Sequence, residues 1–270
     1  MIVIGKLKKQ FQNSKTILGV FLVINLLITF SLLGYHLTSK FWTRTSSTGS
    51  LDTAAGNTAG LTENAATPTK AQTVCIDPGH GGDDTGAIYG NIFESKINLT
   101  VALAVKTILE NDGYQVFMTR TDDTTVGKRD RAYFCNSKKA TVMVSIHHNS
   151  YQSDKSVDYG TALYFKDTDQ LLAASILNST SGILGVKNQG ISKFDNSLLW
   201  VAEMPAALSE GFFMTNTAEY RSLQSASSHL LTDEAFGIAS GIVNYFEYPD
   251  QIKTSLSDGS LIIDRTDLGD

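Results

Sequence analysis

From Thr73 to about Tyr248 short β-branched or apolar runs alternate with stretches of helical periodicity, and few chain folds accept that pattern. Thr73 to Ile76 is a short apolar run that stops at Asp77-Pro78-Gly79, which reads as a strand ending in turn residues. Glu94 to Asn111 follows, with Ile97, Val101, Val105 and Ile108 on one helical face and Gly113 placed to stop the helix. Tyr114 to Thr119 reads as strand, Gly127 to Lys138 as a short helix, Thr141 to Ile146 as a buried strand and Thr161 to Phe165 as another. Leu171 to Leu184 reads as helix, Ala206 to Glu210 as strand and Leu230 to Tyr245 as a closing helix. The expected fold is therefore α/β, a mostly parallel central sheet flanked by helices.

The chain outside this region reads differently. Thr16 to Gly34 is a run of 19 residues without a charge, about 28 Å long as a helix and close to the thickness of a bilayer's hydrocarbon core. A cleaved signal peptide would have a shorter apolar core and a small-residue cleavage site, whereas this run ends in Tyr35-His36-Leu37. Lys6, Lys8, Lys9 and Lys15 precede it, and only Lys40 and Arg44 follow closely, so the positive-inside rule leaves the N-terminus in the cytoplasm. The expected organisation is a basic cytoplasmic segment at 1–15, a single transmembrane helix at 16–36, a linker at 37–70, a folded domain at 71–248 and a loose tail at 249–270. The linker is dominated by Ser, Thr, Gly, Ala and Asn, too little apolar surface to offset the entropy of ordering. The folded part then lies outside the cell membrane.

A net charge of −5 and a pI near 5.5 argue against a nucleic-acid surface. Cys75 lies in an apolar strand and Cys135 in a helical pattern, and both are expected to be buried free thiols.

In open, largely parallel sheets ligands bind beyond the carboxyl ends of the strands. His80 follows the first strand, His147 follows the Thr141 to Ile146 strand, Glu210 ends the Ala206 to Glu210 strand and Glu94 opens a helix, so all four can converge on one rim. Three donors of the His and Glu type suit a catalytic zinc with a fourth position open. Each residue also has a plainer explanation. His80 could be a hydrogen-bonded loop residue, Glu94 a carboxylate favoured by the helix dipole, and Glu210 a paired buried acid. His147 and His148 are adjacent at a strand end and point to opposite faces, so one of them is expected to bind metal. Glu203 competes with Glu210 as a base from a surface position, while His36 and His229 are assigned no chemistry.

Taken together, these segments resemble the zinc-dependent N-acetylmuramoyl-L-alanine amidases of the amidase_3 family. The resemblance runs from Thr73 to about Tyr248 and rests on Ile76-Asp77-Pro78-Gly79-His80-Gly81-Gly82, Glu94 with Asn98-Leu99, Thr119-Arg120-Thr121-Asp122, Arg129-Asp130-Arg131 with Asn136, Ser145-Ile146-His147-His148-Asn149, and Pro205 through Glu210 with Asn216. It implies Zn2+ held by His80, Glu94 and His147, with Glu210 as the catalytic carboxylate and peptidoglycan as the substrate. It also matches Arg129 to a family arginine that supports the fold. Two rival functions are a zinc peptidase cutting within the stem peptide and a non-catalytic wall-binding regulator. Leu199-Trp200-Val201 stands where relatives often carry an arginine, which leaves substrate contacts there open. Some relatives insert a helix that plugs the site between the second histidine and the glutamate. The segment from His147 to Glu210 is accounted for by core elements, and an unplugged site is expected.

Overall fold

The computed structural model describes residues 70–257. Strand β1 (Thr73–Pro78) is followed by a small hairpin, β2 (Ile88–Tyr89) with β3 (Ile92–Phe93), which runs directly into helix α1 (Glu94–Asn111). Then come β4 (Gln115–Met118), α2 (Lys128–Ser137), β5 (Val142–Asn149), β6 (Tyr159–Tyr164), α3 (Gln170–Leu184), β7 (Lys187–Lys193) and the short α4 (Ser197–Val201). Strand β8 (Ala206–Phe213) precedes α5 (Thr217–Gln224), α6 (Leu230–Glu247) and α7 (Pro249–Ser257).

The main sheet has the order β4-β1-β5-β8-β6-β7. The α/β expectation holds, with one difference in direction. All neighbouring strands pair parallel except β6 and β8, which pair antiparallel. Strands β6 and β7 thus run opposite to the other four, and the sheet is mixed. Hydrophobic periodicity reports which residues face inward but carries no information on strand direction.

Strand alternation divides the interior into two layers. Val74, Ile76, Val142, Val144, Ile146 and Ala207 face α1, α3 and α6 in the larger core. Their neighbours Cys75, Met143, Ala206 and Leu208 face the other way, against Ala132 and Cys135 of α2 and Leu198 and Leu199 of α4. Placing the sheet between these layers buries both of its faces, as a largely parallel sheet requires.

Two expectations are corrected here. Cys75 and Cys135 form a disulfide, with Cα atoms 5.7 Å apart, so they are not free thiols. The pairing arises because α2 folds across the face of β1, a tertiary fact with no local trace. The residues from Pro249 are not loose throughout, because Pro249–Ser257 forms α7, with Ile252 and Leu256 packed on the larger core. Proline suits the first position of a helix, where its missing N–H costs nothing. No helix among the described residues is long and apolar enough to cross a membrane. The expected anchor at 16–36, the linker to residue 69 and the last tail residues lie outside the described residues.

Candidate metal centre and catalytic cleft

The alternation that divides the core also distributes the site residues. His147 pairs with Glu210 in the parallel β5/β8 register, and paired residues of neighbouring strands share a face. That face is the one of Met143, four residues earlier on β5, and of its β1 partner Cys75, which pack against α2 and α4. His148 points to the opposite face and is buried.

His80 reaches the rim from a loop. It has φ 59, in the left-handed region that side chains other than glycine seldom adopt. The loop is held by two buried arginines. Arg131 donates to the backbone oxygens of Pro78 (2.7 Å) and His80 (2.8 Å) and to Asp77 Oδ1 (2.8 Å). Arg120 donates to the oxygens of Pro78 (2.9 Å), Gly79 (2.8 Å) and Ser95 (2.8 Å). Asp77 is itself fully buried and also accepts from Ser145 at 2.6 Å. Charged pairs of this kind are costly to break, because a lost partner leaves a buried charge uncompensated. They fix a loop whose backbone conformation is otherwise unfavourable. Close approach does the rest: a Cβ at Gly79 would lie 2.2 Å from His147 Nε2, so any other residue there would displace the His147 ring.

Glu94 is the first residue of α1, 5% exposed. Its Oε1 lies 3.1 Å from His80 Nε2 and 3.1 Å from His147 Nδ1, and its Oε2 accepts the Ala87 N–H at 2.9 Å. One ligand atom from each of His80, Glu94 and His147 falls within 4.8 Å of the others. Donors on a tetrahedral zinc with bonds of about 2.0–2.1 Å stand about 3.3 Å apart, close to the spacing of Glu94 from each histidine. The donor set and its spacing therefore fit a zinc ion. His80 Nδ1 lies 2.9 Å from Asp84 Oδ2, the carboxylate partner that a metal-binding imidazole commonly uses on its far nitrogen. Burial alone would raise the Glu94 carboxyl, but hydrogen bonds and charge from His147 and His80 hold it well below the ordinary carboxylate range. Burial would lower His80, yet Glu94 and Asp84 outweigh it and raise it.

Glu210 lines the same cleft as His80, His147 and Asp84. It is half-buried, with Oε2 sealed from solvent and without a hydrogen-bond partner among the described residues. Burial, and then the negative charge of Glu94, push its carboxyl up to about 8 against the pull of His80. A divalent cation beside it would favour the carboxylate instead. Lys128, Phe194, Asn196 and Leu198 line the same cleft. The residues between His147 and Glu210 build β6, α3, β7 and α4, and the two histidine side chains keep 23% and 19% of their surface exposed.

All four residues expected at the site thus meet at one rim, and Glu203 lies exposed elsewhere. The assignment of Arg129 to fold support is corrected. Arg129 is exposed and lies 5.0 Å over the Trp200 ring, while Arg131, two positions on, enters the core. Residues two apart on a helix face different ways. Sequence reasoning did not single out Asp84 or Glu234. The first had a weak cue in an acidic run after His80. The second had a better one, because Glu234 occupies the buried stripe of α6 one turn before Ile238 and two before Ile242.

Comparison with known proteins agrees with this geometry. The family model for N-acetylmuramoyl-L-alanine amidases of the Amidase_3 type matches residues 74–244. The chain belongs to the Amidase_3 family. Among family relatives, YqiI of Bacillus subtilis (strain 168) is 31% identical over 188 residues, 68% of this chain and 89% of its own. The N-acetylmuramoyl-L-alanine amidase LytC of the same organism is 31% identical over 185 residues, 66% of this chain but 36% of its own length. Among solved structures, the catalytic domain of CwlV, an N-acetylmuramoyl-L-alanine amidase from Bacillus (Paenibacillus) polymyxa var. colistinus, superposes with TM-score 0.61 at 30% identity. That match covers 65% of this chain and 98% of CwlV's domain.

Proposed function

We propose that this protein is a zinc-dependent N-acetylmuramoyl-L-alanine amidase that hydrolyses the amide between N-acetylmuramic acid and L-alanine in peptidoglycan. The observation that carries the reading is the meeting of His80, Glu94 and His147 at one rim, with Glu210 beside His147 in the strand register. Family membership supports the choice of bond.

In this reading His80, Glu94 and His147 hold the metal and Glu210 handles protons. When bound, zinc polarises a carbonyl oxygen and lowers the pKa of water to about 7. Glu210 takes a proton from the attacking water and returns it to the leaving alanine nitrogen, as one carboxylate can do when its pKa lies near the working pH. Asp84 orients His80 through Nδ1, and the Arg120 and Arg131 contacts keep the His80 loop in place. Lys128, Phe194 and Asn196 line the same cleft and are placed to contact the substrate.

The proposed location is the extracytoplasmic face of the cell membrane, with residues 16–36 as a single-pass anchor. The uncharged run in the sequence supports it. The Cys75–Cys135 bridge supports it as well, since structural disulfides persist in oxidising compartments. Mass spectrometry of digested muropeptides tests the function. Intact stem peptides with a free alanine N-terminus are expected, whereas peptides shortened within the stem would identify a peptidase, and bound zinc without any product would identify a recognition module.

A further inference from the structure

Behind the metal donors, on the sealed side of the sheet, lies a group of polar residues that the reaction does not use. His148 and Glu234 are both without exposed side-chain surface, and His148 Nε2 lies 2.8 Å from Glu234 Oε2. His148 Nδ1 lies 2.6 Å from Asn98 Oδ1. The amide of Asn98 is oriented by its other end: Nδ2 donates to the Gly79 oxygen at 3.2 Å and to Glu94 Oε1 at 3.4 Å. With Oδ1 thus an acceptor, His148 donates to it from Nδ1. The backbone N–H of His148 also donates to Glu94 Oε1, at 3.3 Å.

An unbroken line of contacts therefore runs from α6, through β5, to the carboxylate that faces His80 and His147. Glu94 and Asn98 share one face of α1, being four residues apart. The far end is braced as well. Glu234 packs so tightly on β8 that a Cβ at Gly211, the residue after Glu210, would lie 2.2 Å from Glu234 Oε1. Fold stability alone gives no reason for this arrangement. A buried polar or charged pair seldom outperforms well-packed apolar residues of the same volume. Here one oxygen of Glu234 has no hydrogen-bond partner among the described residues, which adds to the cost. Metal-ligating carboxylates, in contrast, depend on outer hydrogen bonds for their orientation and affinity.

We propose that Glu234, His148 and Asn98 act in series as positioning residues, locking the Glu94 carboxylate and the Gly79 carbonyl in the geometry that a metal ion requires. The inference rests on the metal reading above and goes beyond it by assigning a task to three residues that touch neither the donors' ion nor the substrate.

Zinc affinity of the full chain, measured by chelator competition alongside the melting temperature of the metal-free protein, tests it. Asn98→Ala is expected to lose about 10–100-fold in affinity, and Glu234→Gln to lose affinity by a smaller factor. The double variant should bind no more weakly than Asn98→Ala alone, because residues in series do not add. Val105→Ala, a core cavity two turns further along α1, should lower the melting temperature and leave affinity unchanged. Glu234→Gln, nearly isosteric, keeps the measurement available if Asn98→Ala does not fold. Wild-type affinity in both Asn98→Ala and Glu234→Gln would overturn the inference, as would an equal loss in Val105→Ala. A wild-type chain that takes up no zinc would instead overturn the metal reading itself.

Discussion

His147 and His148 are neighbours on one strand, yet they belong to different regions of the molecule. His147 opens on the cleft beside His80 and Glu210, partly exposed and close to a shared carboxylate. His148 is sealed between β5, α1 and α6 with Asn98 and Glu234. Nothing in the two side chains distinguishes them. What differs is what each face of the sheet meets at the strand ends: on one side a cleft lined by residues of α2 and α4, on the other α1 and α6, whose Asn98 and Glu234 cover His148. The pleat sends His147 to the open side, where Arg131 and Asp77 also hold the His80 loop, and His148 to the closed side, with Glu94 at the rim touching both histidines.

The sharpest way to break this contrast is on the open side. Glu210→Gln removes the proton carrier and should lower turnover about 10²–10⁴-fold with zinc content unchanged, measured by product formation and metal analysis. Full activity in that variant would sink the assignment of the base. On the framework that aims His80, Arg131→Ala should cost about 3–5 kcal/mol of stability, because it leaves Asp77 buried without its partner. Denaturant unfolding reads this directly, and a loss below 1 kcal/mol would show that Ser145 and Thr119 suffice for Asp77.

The disulfide ties β1 to α2 on the open side and closes a span of 60 residues. On the chain-entropy model, Cys75→Ala with Cys135→Ala should destabilise by about 4 kcal/mol, while zinc affinity stays within a few-fold if the arginines alone fix the loop. A smaller effect is set by pH. Glu210 has its carboxyl raised from 4.5 to about 8 by burial and by Glu94. A carboxyl with a raised folded-state pKa adds stability that is complete below about 4.5 and is lost as pH rises through about 8. The melting temperature of the metal-free protein should fall across that window, and Glu210→Gln should flatten the fall. At the periphery, Arg129→Ala should change stability by no more than about 0.5 kcal/mol, since its contact with Trp200 is exposed.

Part of the site was legible because residues at strand ends gather at one rim, which brought His80, His147 and Glu210 together. Glu94, at a helix start, has an equally plain explanation in the helix dipole, and its role as a ligand came with the family resemblance. What stayed hidden depends on directions and distances that no local pattern encodes. The reversal of β6 and β7 leaves their alternation unchanged. The Cys75–Cys135 bridge joins two elements that meet only when α2 crosses β1. Arg129 and Arg131 look alike in sequence, and only the rotation of α2 decides which one reaches Asp77. Glu234 stands in line with Ile238 and Ile242 on α6, which marks it as inward-facing, but only the packing of that helix on the sheet brings it to His148.

Crystals grown with zinc and measured at its absorption edge would test the central claim most directly. The account predicts one anomalous peak, about 2 Å from His80 Nε2, His147 Nδ1 and a Glu94 oxygen, on the open side of β5 and next to Glu210. A peak ligated by His148, or one that leaves out Glu94, would contradict it.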